Sequence, residues 1–215
     1  MKVGITAHED RIVNAHNLSH AVWADHVSVD DGTLGCEGNH RKVWRAISDI
    51  AQPDEWCVVL EDDAIPVPDF RRQAEAALAV APATVVSFYL GRINPVHWQG
   101  FIEKAVSQAD SVDACWITSD TTLHAVGIAI RTPKLVNAML KRTSEYTRPI
   151  DERITMWCRN FGHPTAYTHP SLVDHADGDP VIAQRRDGTV RTPGRVAWSY
   201  GPRRRWTASS VPLLK

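Results

Sequence analysis

Val58-Val59-Leu60-Glu61-Asp62-Asp63-Ala64-Ile65-Pro66 is a short apolar run that ends in three adjacent carboxylates and a proline-marked loop. Residues 57–60 form a continuous apolar stretch, the pattern of a strand buried on both faces. Three acids side by side at such a strand end repel one another, so a cation is expected beside them. Oxygen ligands on a sheet edge suit Mg²⁺ or Mn²⁺, hard ions that keep open positions for phosphate oxygens. An acidic turn paired with nearby arginines is the plainer alternative. The first functional expectation is metal-assisted chemistry on a diphosphate-bearing substrate.

Outward from this stretch, strands and helices alternate. Residues 2–6 read as a first strand, 11–24 as a helix, 26–29 as a strand and 35–50 as a second helix. After the acidic segment, Pro68-Asp69 opens a helix that runs through Val80, with Asp69 suited to its positive N-terminal end. Residues 84–90 read as a strand and 91–108, with Gly, Pro and Asn, as a long loop holding at most a helical turn. Strand 124–131, helix 133–141, helix 150–161 and strand 165–168 complete the pattern. Alternation of this kind predicts an α/β fold with a mainly parallel sheet flanked by helices. Ligands of such sheets sit beyond the carboxyl ends of the strands, which is where Glu61, Asp62 and Asp63 fall.

The chain has 215 residues, enough for one well-buried core. Its 43% hydrophobic and 23% charged content argues against disorder as the main state. No apolar run approaches the length of a membrane span, and the first residues carry no leader pattern, so a cytoplasmic protein is expected. Cys36, Cys57, Cys115 and Cys158 form no CxxC pair; reduced, mostly buried thiols are expected, and the spacings do not favour zinc. Charge is uneven: from Arg185 to Lys215 eight basic residues face one acid, Asp187. Residues 1–180 read as one catalytic domain and 181–215 as an irregular basic tail, which either meets an anionic partner or folds onto the acidic body.

Several segments together resemble a glycosyltransferase of the GT-A type, whose fold is Rossmann-like. The similarity is to the family of lipopolysaccharide β-galactosyltransferases and collagen galactosyltransferases (family 25). Leu60-Glu61-Asp62-Asp63, with Pro66 and Phe70 after it, resembles that family's Leu-Glu-Asp-Asp strand end. Gly35-Cys36-Glu37-Gly38-Asn39-His40 and Trp44 resemble its Gly-Cys…Ser-His…Trp helix, with Asn39 in place of serine. Weaker matches are His124-Ala125-Val126-Gly127 with Pro149-Ile150-Asp151, and Pro170-Ser171-Leu172-Val173-Asp174-His175. The matches span residues 1–175 in the family's order.

The resemblance implies a nucleotide-sugar donor, with a UDP-sugar first in line, and a divalent ion, Mn²⁺ or Mg²⁺, on its diphosphate. Asp63 would hold the ion, Asp62 would reach the ribose hydroxyls and Glu61 would act through water. His175 is a second candidate ligand, with Asp174 and Asp177 behind it. The turn after the first strand offers Thr6 and Arg11 to the nucleotide, with Arg11 able to clamp phosphate. Asp30 ends the second strand and could meet base or ribose; Asn39 and His40 would face the site from the second helix. Transfer with inversion, which the family implies, needs a base for the acceptor hydroxyl. Asp151 matches the family's Pro-x-Asp, with Glu152 as the alternative; a helix N-cap is the competing role for Asp151.

The acceptor stays open among a modified DNA base, a protein side chain and a glycan. Residues 91–98 and 195–206 bring Trp98, Trp198, Tyr200 and Trp206 together with arginines, a composition that stacks on sugars or on bases. Tryptophans serve packing more often. Two other classes also use acidic strand ends or this fold: a metal-dependent nuclease or nucleotidyltransferase, and a non-catalytic sugar or nucleic-acid binding module.

Overall fold

The computed structural model describes residues 1–178 and 194–215. It is an α/β fold with a mostly parallel, eight-stranded central sheet flanked by helices. The first half reads β1 (Lys2–His8), α1 (Ile12–Val22), β2 (His26–Asp30), α2 (Gly35–Ile50), β3 (Cys57–Glu61), β4 (Ala64–Pro66) and α3 (Phe70–Leu78). The second half reads β5 (Val85–Ser87), α4 (Gln99–Ser111), β6 (Trp116–Ser119), β7 (Gly127–Ile130), α5 (Pro133–Arg142), α6 (Ile150–Phe161), β8 (Thr165–Thr168), β9 (Val173–His175) and β10 (Ser210–Pro212). No helix among the described residues is long and apolar enough to cross a membrane.

The sheet order is β10-β6-β8-β5-β7-β3-β1-β2. β2, β1 and β3 are parallel neighbours, while β7 runs antiparallel between β3 and β5, and β6 antiparallel beside β8. The apolar run of β3 is central: Cys57, Val58, Val59 and Leu60 are all buried, because β3 is covered on both faces. α2 lies on one of them. Gly4 of β1 lets it approach, since a Cβ there would sit 2.4 Å from Cγ1 of Val43 and 2.8 Å from Cγ2 of Ile47.

Two expectations are corrected. Residues 91–108 are not mainly loop: the Gly/Pro/Asn start gives way to α4, whose Ile102, Ala105, Val106 and Ala109 face the core at helical spacing. Asp69 stands at the N-terminal end of α3, as expected, with a left-handed backbone and its carboxylate paired with Arg72. The chain after Pro180, expected to be irregular, supplies a sheet strand: β10 lies parallel to β6, and Gly91–Ala197 and Ser171–Tyr200 bridges tie it down further. Arg185, Arg186, Asp187 and Arg191 of the basic tail lie outside the described residues.

Beyond the main sheet, β4 and β9 form an antiparallel ribbon that pairs Ala64 with His175, Ile65 with Asp174 and Pro66 with Val173. This ribbon crosses just after the acidic strand end. It brings the chain around residue 175 back to residue 63, and the Ala176 amide donates to the Asp63 carbonyl at 2.8 Å.

Candidate functional site

The carboxyl ends of β1, β2 and β3 open onto a cavity of about 370 Å³. Thr6, His8, Arg11, Asp30, Asn39, Glu61, Asp62, Asp63 and Arg195 contribute to its walls. Asp62 and Asp63 are both only 8% exposed. Asp62 accepts hydrogen bonds from the His8 amide (2.8 Å) and from Nη1 of Arg11 (3.1 Å). Asp63 accepts from the same Nη1 at 2.6 Å, and Nε2 of His175 lies 3.2 Å from its Oδ2. The arginine pairing weighed as the plainer reading of the acidic turn is therefore present. It leaves one carboxylate atom over, because Oδ1 of Asp63 is buried and has no hydrogen-bond partner among the described residues.

The two aspartates are pulled in opposite directions. Burial raises the Asp62 carboxyl above its ordinary value despite the His8 and Arg11 bonds, and the neighbouring Asp63 charge adds to the rise. Burial acts the same way on Asp63, but the hydrogen bond and charge of His175 and the charge of Arg11 outweigh it, and its carboxyl lies below the ordinary value. Asp63 thus carries the firm negative charge of the pair.

The expected donor-binding residues separate into two groups. Thr6, Arg11, Asp30 and Asn39 line the cavity with the acids. Asp30 accepts from the Leu34 amide (3.0 Å) and so shapes the turn into α2. Asn39 ties α2 to β1 and β2, donating from Nδ2 to the carbonyls of Ala7 and Ser28, both at 3.0 Å; its Oδ1 is buried without a partner among the described residues. His40 instead stands behind the wall, 1% exposed, with Nε2 3.0 Å from Oε1 of Glu61.

Asp151 sits in the first turn of α6, and Pro149 takes the N-cap position. Its carboxylate accepts from the Glu152 amide at 2.9 Å. Although part of its surface meets solvent, most of its surroundings are protein. Burial, with the charges of Glu61 and Glu152, pushes its pKa up to about 7, and His40 opposes the rise. Asp151 is thus within electrostatic reach of Glu61 and His40 while lying outside the cavity's lining. Glu152 is exposed, pairs with Arg148 at 2.9 Å and is not among the residues lining the cavity.

Asp174 and Asp177 are engaged elsewhere. Asp174 accepts from the amides of His175 (2.9 Å) and Ala197 (2.7 Å); Asp177 accepts from those of Gly194 and Arg195. They fasten the returning chain, and this places Arg195 in the cavity wall, a contribution that local sequence does not reveal. The aromatic residues proposed for stacking are mostly structural. Trp98 is buried against Phe101, and Trp206 packs on Trp116 with Nε1 donating to Gln73 at 3.0 Å. Trp198 donates to Gln99 at 2.9 Å, and Tyr200 donates to the Pro66 carbonyl at 2.9 Å while staying 40% exposed.

No protein-family model matches the chain, and no curated protein matches it in sequence. Among solved structures, the crystal structure of A197 from STIV superimposes with a TM-score of 0.50 at 8% identity. The match covers 94% of this chain and 97% of that one. It is a likeness of fold.

Proposed function

We propose that this chain is a metal-dependent glycosyltransferase of the GT-A type that moves a sugar from a nucleotide-sugar donor to an acceptor hydroxyl. The observation that carries the reading is Asp63: a buried, firmly ionised carboxylate on the cavity wall with one oxygen unpartnered, His175 beside the other, and Arg11 and Arg195 nearby. The Asp63 carboxylate suits Mn²⁺ or Mg²⁺, hard ions that take oxygen ligands, and the His175 imidazole is the softer donor of the pair, which favours Mn²⁺ over Mg²⁺. Bound there by Asp63 and His175, the ion would supply Lewis-acid neutralisation of the departing diphosphate.

The chain's own groups take the other roles. Arg11 and Arg195 offer guanidinium groups to phosphate oxygens. Thr6, Asp30 and Asn39, with its unpartnered Oδ1, line the region for base and ribose. Asp151 is the base: with a pKa of about 7 it is half ionised near neutrality and takes the hydroxyl proton as the acceptor oxygen attacks. The acceptor class is a modified DNA base, a protein hydroxyl or a glycan. The described tail offers it one exposed aromatic, Tyr200.

The test is a thermal-shift panel of UDP-, GDP- and TDP-sugars and free nucleotides, with and without Mn²⁺. A ligand that binds only the native state stabilises it by mass action. Metal-dependent stabilisation by one nucleotide family, lost in Asp63→Asn, is expected. Stabilisation by none of them would overturn the reading in favour of a nuclease or a binding module.

A further inference from the structure

The first turn of α2 carries Cys36, and His40 follows it at the i+4 position on the same helix face. Glu61, at the end of β3, approaches from the sheet. The Cys36 sulfur, a His40 ring nitrogen and a Glu61 carboxylate oxygen lie within 4.8 Å of one another. Sequence spacing among the cysteines gives no sign of this cluster, because only one of its members is a cysteine and one comes from a different element.

We infer that Cys36, His40 and Glu61 form a zinc site, separate from the Asp63 centre, with three protein ligands and a fourth position open to the cavity. The ligand chemistry selects the metal: one sulfur, one imidazole nitrogen and one carboxylate suit Zn²⁺ and are foreign to Mg²⁺. The spacing fits as well. Nε2 of His40 and Oε1 of Glu61 are 3.0 Å apart, within a few tenths of an ångström of the separation of two ligands on one tetrahedral ion. Zn–N and Zn–O bonds of about 2.0–2.1 Å place such ligands roughly 3.3 Å apart.

His40 is 1% exposed, and the ring nitrogen that faces the carboxylate, Nε2, is the one placed to hold the ion. Nδ1, the other ring nitrogen, has no hydrogen-bond partner among the described residues and takes no part in the site. Cys36 and Glu61 both line the cavity, so the fourth position faces solvent or a bound substrate rather than packed core. Three protein ligands with an open position is the pattern of zinc sites that act on a ligand, in contrast to closed structural sites.

Cys36 is the one exposed thiol of four. Burial pushes the Cys57 and Cys158 thiols up to about 12, which keeps them protonated, and the Cys115 sulfur is enclosed against Thr207. Any metal–thiolate signal at neutral pH therefore reports Cys36.

Co²⁺ titrated into the metal-stripped full-length chain is the test, followed by displacement with Zn²⁺. One equivalent of Co²⁺ giving a thiolate-to-cobalt charge-transfer band, bleached by Zn²⁺, is expected. Cys36→Ser should lose the band, and Glu61→Gln should weaken binding at least tenfold, since even outer partners of a metal cost about 10–100-fold. Cys36 is exposed, so its replacement leaves the fold intact, which circular dichroism checks. Asp63→Asn should keep the band, which separates this site from the donor's metal. Absence of a charge-transfer band, or a band unchanged in Cys36→Ser, would overturn the assignment.

Discussion

Nη1 of Arg11 lies 2.6 Å from Oδ2 of Asp63, and the same nitrogen reaches Asp62 at 3.1 Å. One guanidinium nitrogen therefore bridges two adjacent, nearly buried carboxylates. Removing one member of such a buried set leaves the remaining charges uncompensated. Arg11→Met should destabilise the protein by about 3 kcal/mol in urea denaturation. Asp63 has a lowered carboxyl pKa, so it contributes stability that is complete above its unfolded value and is lost as pH falls through the folded value, below about 4. Without Arg11 the burial effect gains weight, and acid unfolding should begin at a higher pH than in the wild type. Equal acid transitions in the two proteins would refute the pairing.

Asp151 has the opposite sign. Its folded pKa of about 7 lies above the unfolded 3.8, so the folded state holds a proton that the unfolded state releases. Its contribution weakens the fold progressively as pH rises from about 4 to about 7. Asp151→Asn should therefore be more stable than the wild type at pH 8 and nearly equal to it below pH 4. The same variant should bind donor normally and lose about 10²–10⁴-fold in transfer. The wild-type transfer rate should rise with pH through an apparent pKa near 7. Steady-state kinetics and thermal melts across pH check both halves.

Trp206 joins the returning chain to the body through its packing on Trp116 and its bond to Gln73. Trp206→Ala should cost about 3–5 kcal/mol, the range for truncating a buried aromatic. Donor and acceptor binding should fall together with stability. Loss of acceptor binding alone, with an unchanged urea midpoint, would assign the tryptophan to recognition instead.

Gly4 has no room for a methyl group against Val43 and Ile47 of α2. Gly4→Ala should push α2 off β1 and cost about 1–3 kcal/mol by overpacking. Because α2 carries Asn39 into the cavity, nucleotide affinity should drop as well, measurable by isothermal titration. Neutral stability would mean that the helix yields freely at this contact.

Sequence made the long, periodic pieces legible. The bounds of α2 and α6 coincide with the expected ones, and the apolar run before Glu61 is the buried central strand, because these segments carry enough residues to show a period. The three-residue strands β4, β9 and β10 are too short for any periodicity. α4 was obscured by the turn-forming residues before it, although its core-facing positions hold helical spacing. In the site, the three acids and Arg11 are legible by chemical type, and His175 by the resemblance of its segment. Arg195 is not, since it reaches the cavity only through bonds that Asp177 makes across 17 and 18 positions. His40 and Glu61 were both singled out, but their contact needs the helix-to-sheet packing that Gly4 permits.

The pairing of β10 with β6 has a consequence for biosynthesis. The Thr118 hydroxyl and the Val211 carbonyl are 93 positions apart. At ribosomal speeds of about 5–20 residues per second, β6 emerges roughly 5–20 s before the segment that covers its outer edge. Through that interval Trp116, Ile117 and Thr118 form an unpaired strand margin, open to pairing with another nascent chain. β10 thus acts as a late-arriving seal over the margin of β6.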